Sequence, residues 1–289
     1  MEQHMDIDAL RSFIAFVDTG SFTRAAKQTF RTQSAISMQM KRLEEETGQA
    51  LFIKEGRSLA LTEQGRLLVS YARRILSLHD EVIGSFSGSS GHPPLVIGCP
   101  DDYAESILPQ LITLIVERLP QQNIKICCDC SSQLRLKLDA GAVHIAILTG
   151  APDIEEGYLL KHDRGVWVHG GHPQLMEITP LALILYEPDC KFHSAAIDGL
   201  EKQGLDYRLL CSTSSATAIK SLLRQGLGIS AVAASTVSQG LSIEHSADLP
   251  PLPFINIVLA VAPVPHPLFG SAMAAELSNH YRKLYSYDN

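Results

Sequence analysis

Two short helical segments separated by a tight turn constrain the fold of this chain more than any other feature. Ser21 is a suitable N-cap for the first segment, which carries the small residues Ala25 and Ala26 where another helix can approach closely. The second segment runs from about Thr32 or Ser34 to Thr47, and Gly48 supplies its C-terminal stop. Together they predict a helix-turn-helix, whose second helix commonly enters the major groove of DNA.

The flanking segments predict the rest of a small winged domain. Residues 8–19 have the apolar spacing of an amphipathic helix, and the apolar stretches 51–53 and 59–61 flank a basic tip, which predicts a hairpin wing. Thr62 then caps a long helix with an apolar stripe of Leu67, Leu68, Tyr71, Ile75, Leu78, Val82 and Phe86. Because so small a domain cannot bury the whole stripe, we expect the helix to pack against its twin in a dimer; packing inside its own domain is the alternative.

The rest of the chain has the pattern of an α/β protein. The small, polar stretch Ser85–Pro94 predicts a linker. Beyond it, strand-like and helical stretches alternate in two sets, which predicts parallel strands covered by helices in two lobes with a cleft between them. The predicted fold class is α+β multidomain, with a winged helix-turn-helix at 6–62, a dimerisation helix at 63–87, a hinge at 88–94 and a two-lobed α/β domain at 95–289. Lobe 1 covers about 95–163 and 254–289, and lobe 2 about 164–253.

The charge is unevenly distributed. The chain has a formal net charge of −7, yet residues 20–60 hold seven basic and four acidic residues. Residues 90–289 hold 13 basic and 20 acidic residues. A basic segment on an acidic body is typical of local contact with DNA rather than of general coating of nucleic acid.

Several function classes lack their usual signals. We find neither an apolar stretch of membrane-spanning length nor a signal-peptide pattern, so we expect a cytoplasmic protein. The six cysteines are too few for a secreted disulfide framework and are expected to be reduced. Because the sequence has no recognisable nucleophile elbow and no Gly-rich phosphate loop, we expect neither an enzyme nor a bound cofactor.

Five motifs resemble those of the LysR-type transcriptional regulators. They are Ser21–Ala26, Thr32–Ser37, Leu43–Gly48, Leu51-Phe52 and Leu61–Gly65, in the family's spacing over the first 65 residues. The remainder has the length and strand order of that family's effector domain, which implies two periplasmic-binding-protein-like lobes that hold a small molecule. Within the family, Arg31–Ser34 and Asp248–Pro253 resemble the LrhA/HexA/PecT subgroup of motility and virulence regulators.

The resemblance implies that the chain binds promoter DNA with inverted-repeat half-sites as a dimer or tetramer, and that it works with RNA polymerase. The major groove admits the start of the second helix, so Gln33, Ser34, Ser37 and Met38 are predicted to read bases, with Thr32 beside them. Basic side chains bind phosphates without reading sequence. The predicted phosphate contacts are Arg24, Arg31 and Lys41, together with Lys54 and Arg57 in the wing.

The resemblance also places an effector site at loops that follow the strands, as is usual for open α/β sheets. The matching positions are Pro100, Asp101, Asp102, Ser131, Thr149, Thr213 and Ser214. Hydroxyl groups and helix N-termini favour an anionic ligand, but Asp101 and Asp102 would repel one. The pattern therefore does not predict an aromatic acid, the kind of effector that direct transfer from the family would imply.

The cysteine pattern Cys127-Cys128-Asp129-Cys130 is interpreted as small buried filler, because alternate side chains of a strand point to opposite faces and cannot converge on one metal ion. We predict no metal site. A thiol-based redox regulator remains an alternative, with Cys128, Cys190 and Cys211 as its candidate sensors. An enzyme with a fused DNA-binding arm is a further alternative, for which no set of acid and base residues is found.

Overall fold

The computed structural model describes residues 5–55, 58–86, 92–154 and 156–285. The chain divides into two compact units: the first comprises residues 1–93 with 139–142, and the second comprises residues 94–138 and 143–289. Within the described ranges, no helix is long and apolar enough to cross a membrane. The predicted hinge lies partly outside the described residues, since residues 88–91 fall in a gap.

The described part of the first unit contains a helix-turn-helix and a hairpin. Its elements are α1 (Ile7–Thr19), α2 (Phe22–Gln28), α3 (Gln33–Thr47), β1 (Phe52–Glu55), β2 (Ser58–Leu61) and α4 (Glu63–Phe86). The side chains of Asp6, Ser21 and Thr32 each accept a hydrogen bond from an amide in the first turn of α1, α2 and α3. Gly20 and Gly48 follow α1 and α3 with φ near +61° and +64°, a left-handed conformation that favours glycine. Capping by short polar residues thus sets the helix boundaries that the sequence predicted.

The core of the first unit lies between the three short helices and the start of α4. Its fully buried side chains are Ala9, Leu10, Phe13, Ala25, Ile36, Leu43 and Ala72. The Phe16 ring lies against Phe22 and Phe52, with ring centroids 4.4 and 5.2 Å apart. Burial of each Leu, Ile or Phe side chain stabilises the folded state by about 1.5–3 kcal/mol. These apolar contacts therefore hold α3 in place with its polar face turned outward.

The long helix α4 has two apolar faces. One face packs into the core through Leu68, Val69, Ala72 and Leu76. The other exposes Leu67, Tyr71, Ile75 and Leu78, of which Leu78 is 63% exposed. Leu68, which the sequence analysis placed in the outer stripe, is therefore part of the core. The exposed set recurs at intervals of four, four and three residues, the spacing of a helix that packs against another helix.

The second unit is a mixed α/β domain. Its main elements are β3 (Leu95–Cys99), α5 (Ile107–Arg118), β4 (Ile124–Cys128), α6 (Ser131–Asp139), β5 (Ile145–Gly150), β6 (Tyr158–His169), β7 (Leu181–Leu185), α7 (Lys191–Gln203), β8 (Tyr207–Ser212), α8 (Ala216–Arg224), β9 (Ser230–Ala233), β10 (Ser242–Glu244), β11 (Phe254–Val261) and α9 (Ser271–Tyr285). β3 pairs in parallel with β4 and β5, and β7 with β8. β11 runs antiparallel to β5 and β6, so the sheet is parallel only in part.

The strand β6 belongs to both halves of the second unit. Residues 158–164 pair with β11, whereas Gly165–Val168 pair with β9 and Trp167–His169 with β10. We call the part built on β3, β4, β5 and β11 the first half, and the part built on β7, β8, β9 and β10 the second half. Lys161, Asp163 and Arg164 interrupt the apolar pattern of β6, so local spacing does not indicate a single strand of this length.

Candidate functional site

The outer face of α3 and its surroundings carry the predicted DNA-binding residues. Those with exposed side chains are Arg24, Arg31, Thr32, Gln33, Ser34, Ser37, Met38, Lys41 and Lys54. Arg57 lies outside the described residues. The opposite face of α3 is held in the core by Ile36, Met40 and Leu43. The helix therefore presents to solvent a surface that is polar apart from the exposed Met38.

Several of these side chains already have partners within the first unit. Gln33 Oε1 accepts a hydrogen bond from Thr23 Oγ1 at 3.4 Å. Thr32 Oγ1 accepts one from Ala35 N at 3.2 Å, so this residue caps α3. Arg31 forms an ion pair with Asp8 at 2.6 Å. A phosphate group that binds Arg31 would have to share the guanidinium group with Asp8. The side chains of Ser37 and Met38 are exposed on the helix surface.

Glu44 connects α3 to the start of the wing, a role that the sequence analysis missed. Its Oε1 atom accepts hydrogen bonds from the Leu51 amide at 2.8 Å and the Phe52 amide at 3.3 Å. Both amides precede the hairpin or begin it, so Glu44 sets the position of β1 relative to α3. Glu44 belongs to the Leu43–Gly48 motif, but the motif did not indicate its contact with the two amides.

A cavity of about 530 Å³ lies between the two halves of the second unit. The loops that follow β3, β4, β5, β7 and β8 form its walls, in agreement with the general position of ligand sites at the carboxyl ends of strands. The lining residues are Pro100, Asp101, Asp102, Cys128, Asp129, Cys130, Ser131, Ser132, Arg135, Thr149, Tyr186, Glu187, Asp189, Cys190, Lys191, Phe192, Ser214 and Ser215. Its volume is in the usual range for small-molecule sites.

Six of the seven predicted effector residues line this cavity: Pro100, Asp101, Asp102, Ser131, Thr149 and Ser214. Thr213 does not. Its amide donates to Leu185 O at the end of β7 at 3.1 Å, and its Oγ1 atom accepts from Ser215 N, just before α8, at 3.2 Å. Ser215 caps α8 and lines the cavity.

The hydroxyl groups at the end of β5 form a short network. Ser131 Oγ accepts a hydrogen bond from Thr149 N at 3.0 Å. Thr149 Oγ1 lies 2.7 Å from the hydroxyl oxygen of the buried Tyr103. This network ties the start of α6 to β5, and Ser131 Oγ keeps a proton that it can donate to a ligand.

Three polar contacts join the two halves of the second unit across the cavity. Asp101 Oδ2 accepts a hydrogen bond from Ala216 N at 2.7 Å, at the first residue of α8. Ser132 Oγ donates to Asp189 Oδ2 at 2.8 Å. Lys220 forms an ion pair with Glu105. These contacts hold the two halves together around the cavity.

Asp102 is the cavity residue with the most perturbed acidity. Burial raises the pKa of its carboxyl group to about 7, and the neighbouring Asp101 carboxylate acts in the same direction. Backbone hydrogen bonds at Asp102 and Tyr103 and the charge of Lys220 offset part of this effect. Among the described residues, the hydrogen bonds to the Asp102 carboxyl group come from backbone amides and not from another side chain. The cavity therefore contains a carboxyl group that changes its charge near neutral pH.

The interpretation of the cysteines at 127, 128 and 130 as buried filler is wrong: Cys128 is exposed and the other two are half-buried. Cys128 and Cys130 both line the cavity. β4 is the edge strand of its sheet and ends at Cys128, so the residues that follow it open onto the cavity instead of the core. Burial raises the pKa of the Cys128 and Cys130 thiols, and raises that of Cys190 to about 11. In the described part of the chain, no three His, Cys, Asp or Glu side chains are placed to hold a metal ion.

The sequence analysis missed the contribution of the loop after β7 to the cavity. This loop supplies Tyr186, Asp189, Cys190 and Lys191. It follows a continuous apolar strand, so the rule that placed the other lining residues at strand ends would have identified it. Arg135 was missed as well, because it lies one turn into α6 and only the fold brings it to the cavity.

Comparisons with known proteins agree with this architecture. Residues 7–66 match the family model described as "Bacterial regulatory helix-turn-helix protein, lysR family", and residues 88–267 match "LysR substrate binding domain". The HTH-type transcriptional regulator DgdR of Burkholderia cepacia is 36% identical over 258 residues, which cover 88% of this chain and 87% of that protein. PecT of Dickeya dadantii is 31% identical over 251 residues, which cover 86% and 79%. The match to PecT supports the subgroup that the motifs indicated.

Solved structures share the fold. ArgP from Mycobacterium tuberculosis has a TM-score of 0.63 at 16% identity, with 96% of this chain and 97% of that chain covered. A full-length OxyR from Pseudomonas aeruginosa has a TM-score of 0.60 at 22% identity, with 96% and 95% covered. The predicted fold class is confirmed, and the expectation of a regulator instead of an enzyme is confirmed by the family matches. The chain belongs to the LysR family of DNA-binding transcriptional regulators.

Proposed function

We propose that residues 6–62 read promoter DNA through the exposed face of α3. The observation that carries this proposal is the outward placement of Gln33, Ser34, Ser37 and Met38 on a helix whose other face is locked in the core. An α-helix fits the major groove, where amide and hydroxyl side chains bond base edges and a Met side chain can contact a thymine methyl group. Thr32 positions the start of the helix by capping it.

The basic residues around this face serve as phosphate contacts in this proposal. Arg24, Arg31, Lys41 and Lys54 are exposed, and Arg57 completes the wing tip in the sequence. Lys41 lies 3.7 Å from Glu45 in an exposed pair, which contributes little free energy and yields readily to a phosphate. Such contacts position the protein on DNA without specifying the sequence.

The helix at 63–87 serves to join two copies of the chain. Its outer face exposes Leu67, Tyr71, Ile75 and Leu78 at helical spacing, which a second copy of the helix would bury. A symmetric dimer places two reading helices one or more DNA turns apart, so its target has inverted-repeat half-sites. In this proposal the protein acts as a dimer or a tetramer in the cytoplasm, where it meets promoters and RNA polymerase.

The domain at 95–289, which follows the hinge at 88–94, serves to bind a small effector in the cavity between its halves. Pro100, Asp101, Asp102, Ser131, Thr149 and Ser214 contact the effector in this proposal, while Thr213 shapes the loop before α8. A ligand there regulates by preferring one arrangement of the two halves, since only differential affinity shifts a population. Raised thiol pKa values leave few reactive thiolates at Cys128 and Cys190, which disfavours the redox alternative at these two residues.

The experiment that tests DNA reading compares two variants of the full-length chain. Genome-wide mapping of bound sites first identifies an operator, and titrations across salt concentrations then measure specific and non-specific binding. Ser37→Ala should weaken specific binding by about 1–3 kcal/mol with little effect on non-specific binding. Lys41→Ala should weaken both alike and reduce the salt slope by about one unit.

Lys202→Ala is the matched control, since it removes an exposed Lys from α7 in the second unit. Its affinity and salt slope should equal those of the wild type. If Ser37→Ala and Lys41→Ala behave alike, the separation of base readers from phosphate contacts is wrong. A wild-type chain without any preferred sites would contradict the proposed DNA reading itself.

A further inference from the structure

The cavity of the second unit is lined by more carboxylates than cations. Asp101, Asp102, Asp129, Glu187 and Asp189 line it, against Arg135 and Lys191. Three of the carboxylates other than Asp102 are already engaged: Asp101 accepts from the Ala216 amide at 2.7 Å, Asp129 pairs with Lys137 at 2.7 Å, and Asp189 accepts from Ser132. Glu187 is exposed. Asp102 is left as the carboxyl group inside the cavity without a side-chain partner among the described residues.

The cations of the cavity are poorly placed to receive an anion. Arg135 binds Glu156 in a two-point contact, with Nε–Oε1 and Nη2–Oε2 distances of 2.5 and 2.6 Å. Its Nη2 atom also donates to Thr149 O at 2.9 Å, so the guanidinium is compensated in charge and in hydrogen bonds. Lys191 is exposed at the cavity boundary. The interior therefore has no uncompensated positive side chain among the described residues.

One position that an anionic ligand commonly takes, the N-terminus of α8, is occupied by the protein. The N-terminus of a helix attracts negative charge through its free amides. Here the first amide of α8, that of Ala216, donates to Asp101 Oδ2 at 2.7 Å. Ser215 caps the same helix by accepting from Ala218 N. A carboxylate ligand would have to displace Asp101 and then lie beside both Asp101 and Asp102.

We infer that the effector of this cavity carries a protonated amine or guanidinium group that binds to the Asp102 carboxylate. The inference rests on the proposed function, in which this cavity holds the effector. The remainder of the ligand would lie against Pro100, Tyr186 and Phe192, which supply apolar surface in the same cavity. Simple amines and amino acids share this chemistry, and the test separates them.

The raised pKa of the Asp102 carboxyl group is consistent with a cationic group of the ligand as its binding partner. The groups that act on it or respond to it are Asp101, Lys220, Cys99, Tyr103, Tyr186 and Cys190. Burial dominates and raises the pKa to about 7, which means that the ionised form lacks sufficient stabilisation in the free protein. A bound cation supplies that stabilisation, so binding should release a proton near pH 7.

The test uses the full-length protein and thermal unfolding with a panel of small molecules. The cationic probes are n-butylamine, putrescine and agmatine, the zwitterionic probes are alanine and lysine, and the anionic probes are butyrate and benzoate. At least one amine-bearing probe should raise the unfolding temperature, and titration calorimetry then gives its Kd. Stabilisation by the simple amines identifies a cationic effector, and stabilisation by the amino acids alone identifies a zwitterion.

Two variants and a matched control assign the effect to Asp102. Asp102→Asn should weaken the binding of that probe by about ten- to a hundredfold, the usual effect of losing a charge-assisted hydrogen bond. Asp102→Glu should restore part of it, since it keeps the charge. Asp198→Asn removes an exposed carboxylate from α7 outside the cavity and should bind like the wild type.

The pH profile provides a second readout. With a pKa of about 7, wild-type affinity should fall about tenfold from pH 8 to pH 6, and the fall should be absent in Asp102→Asn. The inference is overturned if the anionic probes alone stabilise the protein, if no amine-bearing probe does, or if Asp102→Asn binds as tightly as the wild type. Operator binding by the same wild-type preparation is measured in parallel, so a failure of DNA reading is distinguished from a failure of this inference.

Discussion

Replacing Asp102 with Asn should stabilise the second unit at alkaline pH. The folded protein holds the pKa of this carboxyl group at about 7, whereas the ordinary value is 3.8. Because the folded pKa is raised, the folded state favours the protonated form, and stability is lost as the pH rises from about 4 through 7. Asn resembles the protonated acid in shape and keeps an acceptor oxygen for the backbone amides, but it carries no charge at any pH.

The magnitude follows from the interval between the two pKa values. Each pKa unit corresponds to about 1.4 kcal/mol, so the interval from 3.8 to about 7 amounts to about 4 kcal/mol at pH 8 for a fully desolvated group. Asp102 is only partly buried by its surface exposure, so we take about half of this value, or about 2 kcal/mol. For a unit of this size, that gain raises the melting temperature by about 4–8 °C.

The assay is chemical denaturation of wild type and Asp102→Asn at pH 8, 5.5 and 4. The advantage of the variant should be largest at pH 8, about half as large at pH 5.5 and close to zero at pH 4, because the unfolded wild type also becomes protonated there. Asp198→Asn should change the free energy of unfolding by less than about 0.5 kcal/mol, as for other exposed substitutions. A variant that is less stable than the wild type at pH 8, or whose advantage does not vary with pH, would refute the reasoning.

Three further predictions address other parts of the chain. Leu78→Asp should dissociate the dimer in analytical ultracentrifugation, because it places a charge on the exposed apolar face of α4, whereas Ser77→Asp on a different face of the helix should not. Glu44→Ala should lower the free energy of unfolding by about 1–3 kcal/mol in denaturant titrations, because two amides at the start of the wing lose their acceptor. His144 accepts a hydrogen bond from the Val96 amide, and burial together with His266 lowers its pKa to about 4. Its contribution to the free energy of unfolding should therefore be lost as the pH falls from 6.5 towards 4. His144→Gln should make the free energy of unfolding less dependent on pH in this range.

The sequence predicted the first unit well because its signals are local. Ser21 and Thr32 each cap a helix within three residues of the amide that they accept from, and Gly20 and Gly48 end helices at the next position in the chain. The apolar spacing of α4 predicted a helix, but it did not distinguish Leu68, which packs inward, from its exposed neighbours. That distinction depends on where α1 lies against α4, which local spacing does not encode.

The second unit was predicted less completely because its decisive contacts join distant positions. The resemblance to the LysR family placed six residues that line the cavity, in agreement with the rule that ligand sites lie at the carboxyl ends of parallel strands. The antiparallel pairing of β11 with β5 and β6 joins residues about a hundred positions apart, and no local pattern gives its direction. Likewise, nothing near Asp101 in the sequence indicates that it binds the amide of Ala216. The sequence predicted that Asp101 and Asp102 would oppose an anion, but their different partners emerge only from the fold.

These different partners impose a condition on how an effector acts. Asp101, Ser132 and Lys220 connect the two halves by contacts within the protein, so an effector that leaves these contacts in place adds stability to the arrangement that they favour. Shifting a population from 1:99 to 99:1 takes about 5.5 kcal/mol of differential affinity, whereas one charge-assisted hydrogen bond gives about 1.5–3 kcal/mol. Asp102 alone therefore cannot account for a complete switch, and the apolar surface of Tyr186 and the hydroxyl group of Ser131 must also favour one arrangement. It follows that loss of the Asp102 charge should reduce the regulatory response in graded fashion, in proportion to its share of the differential affinity.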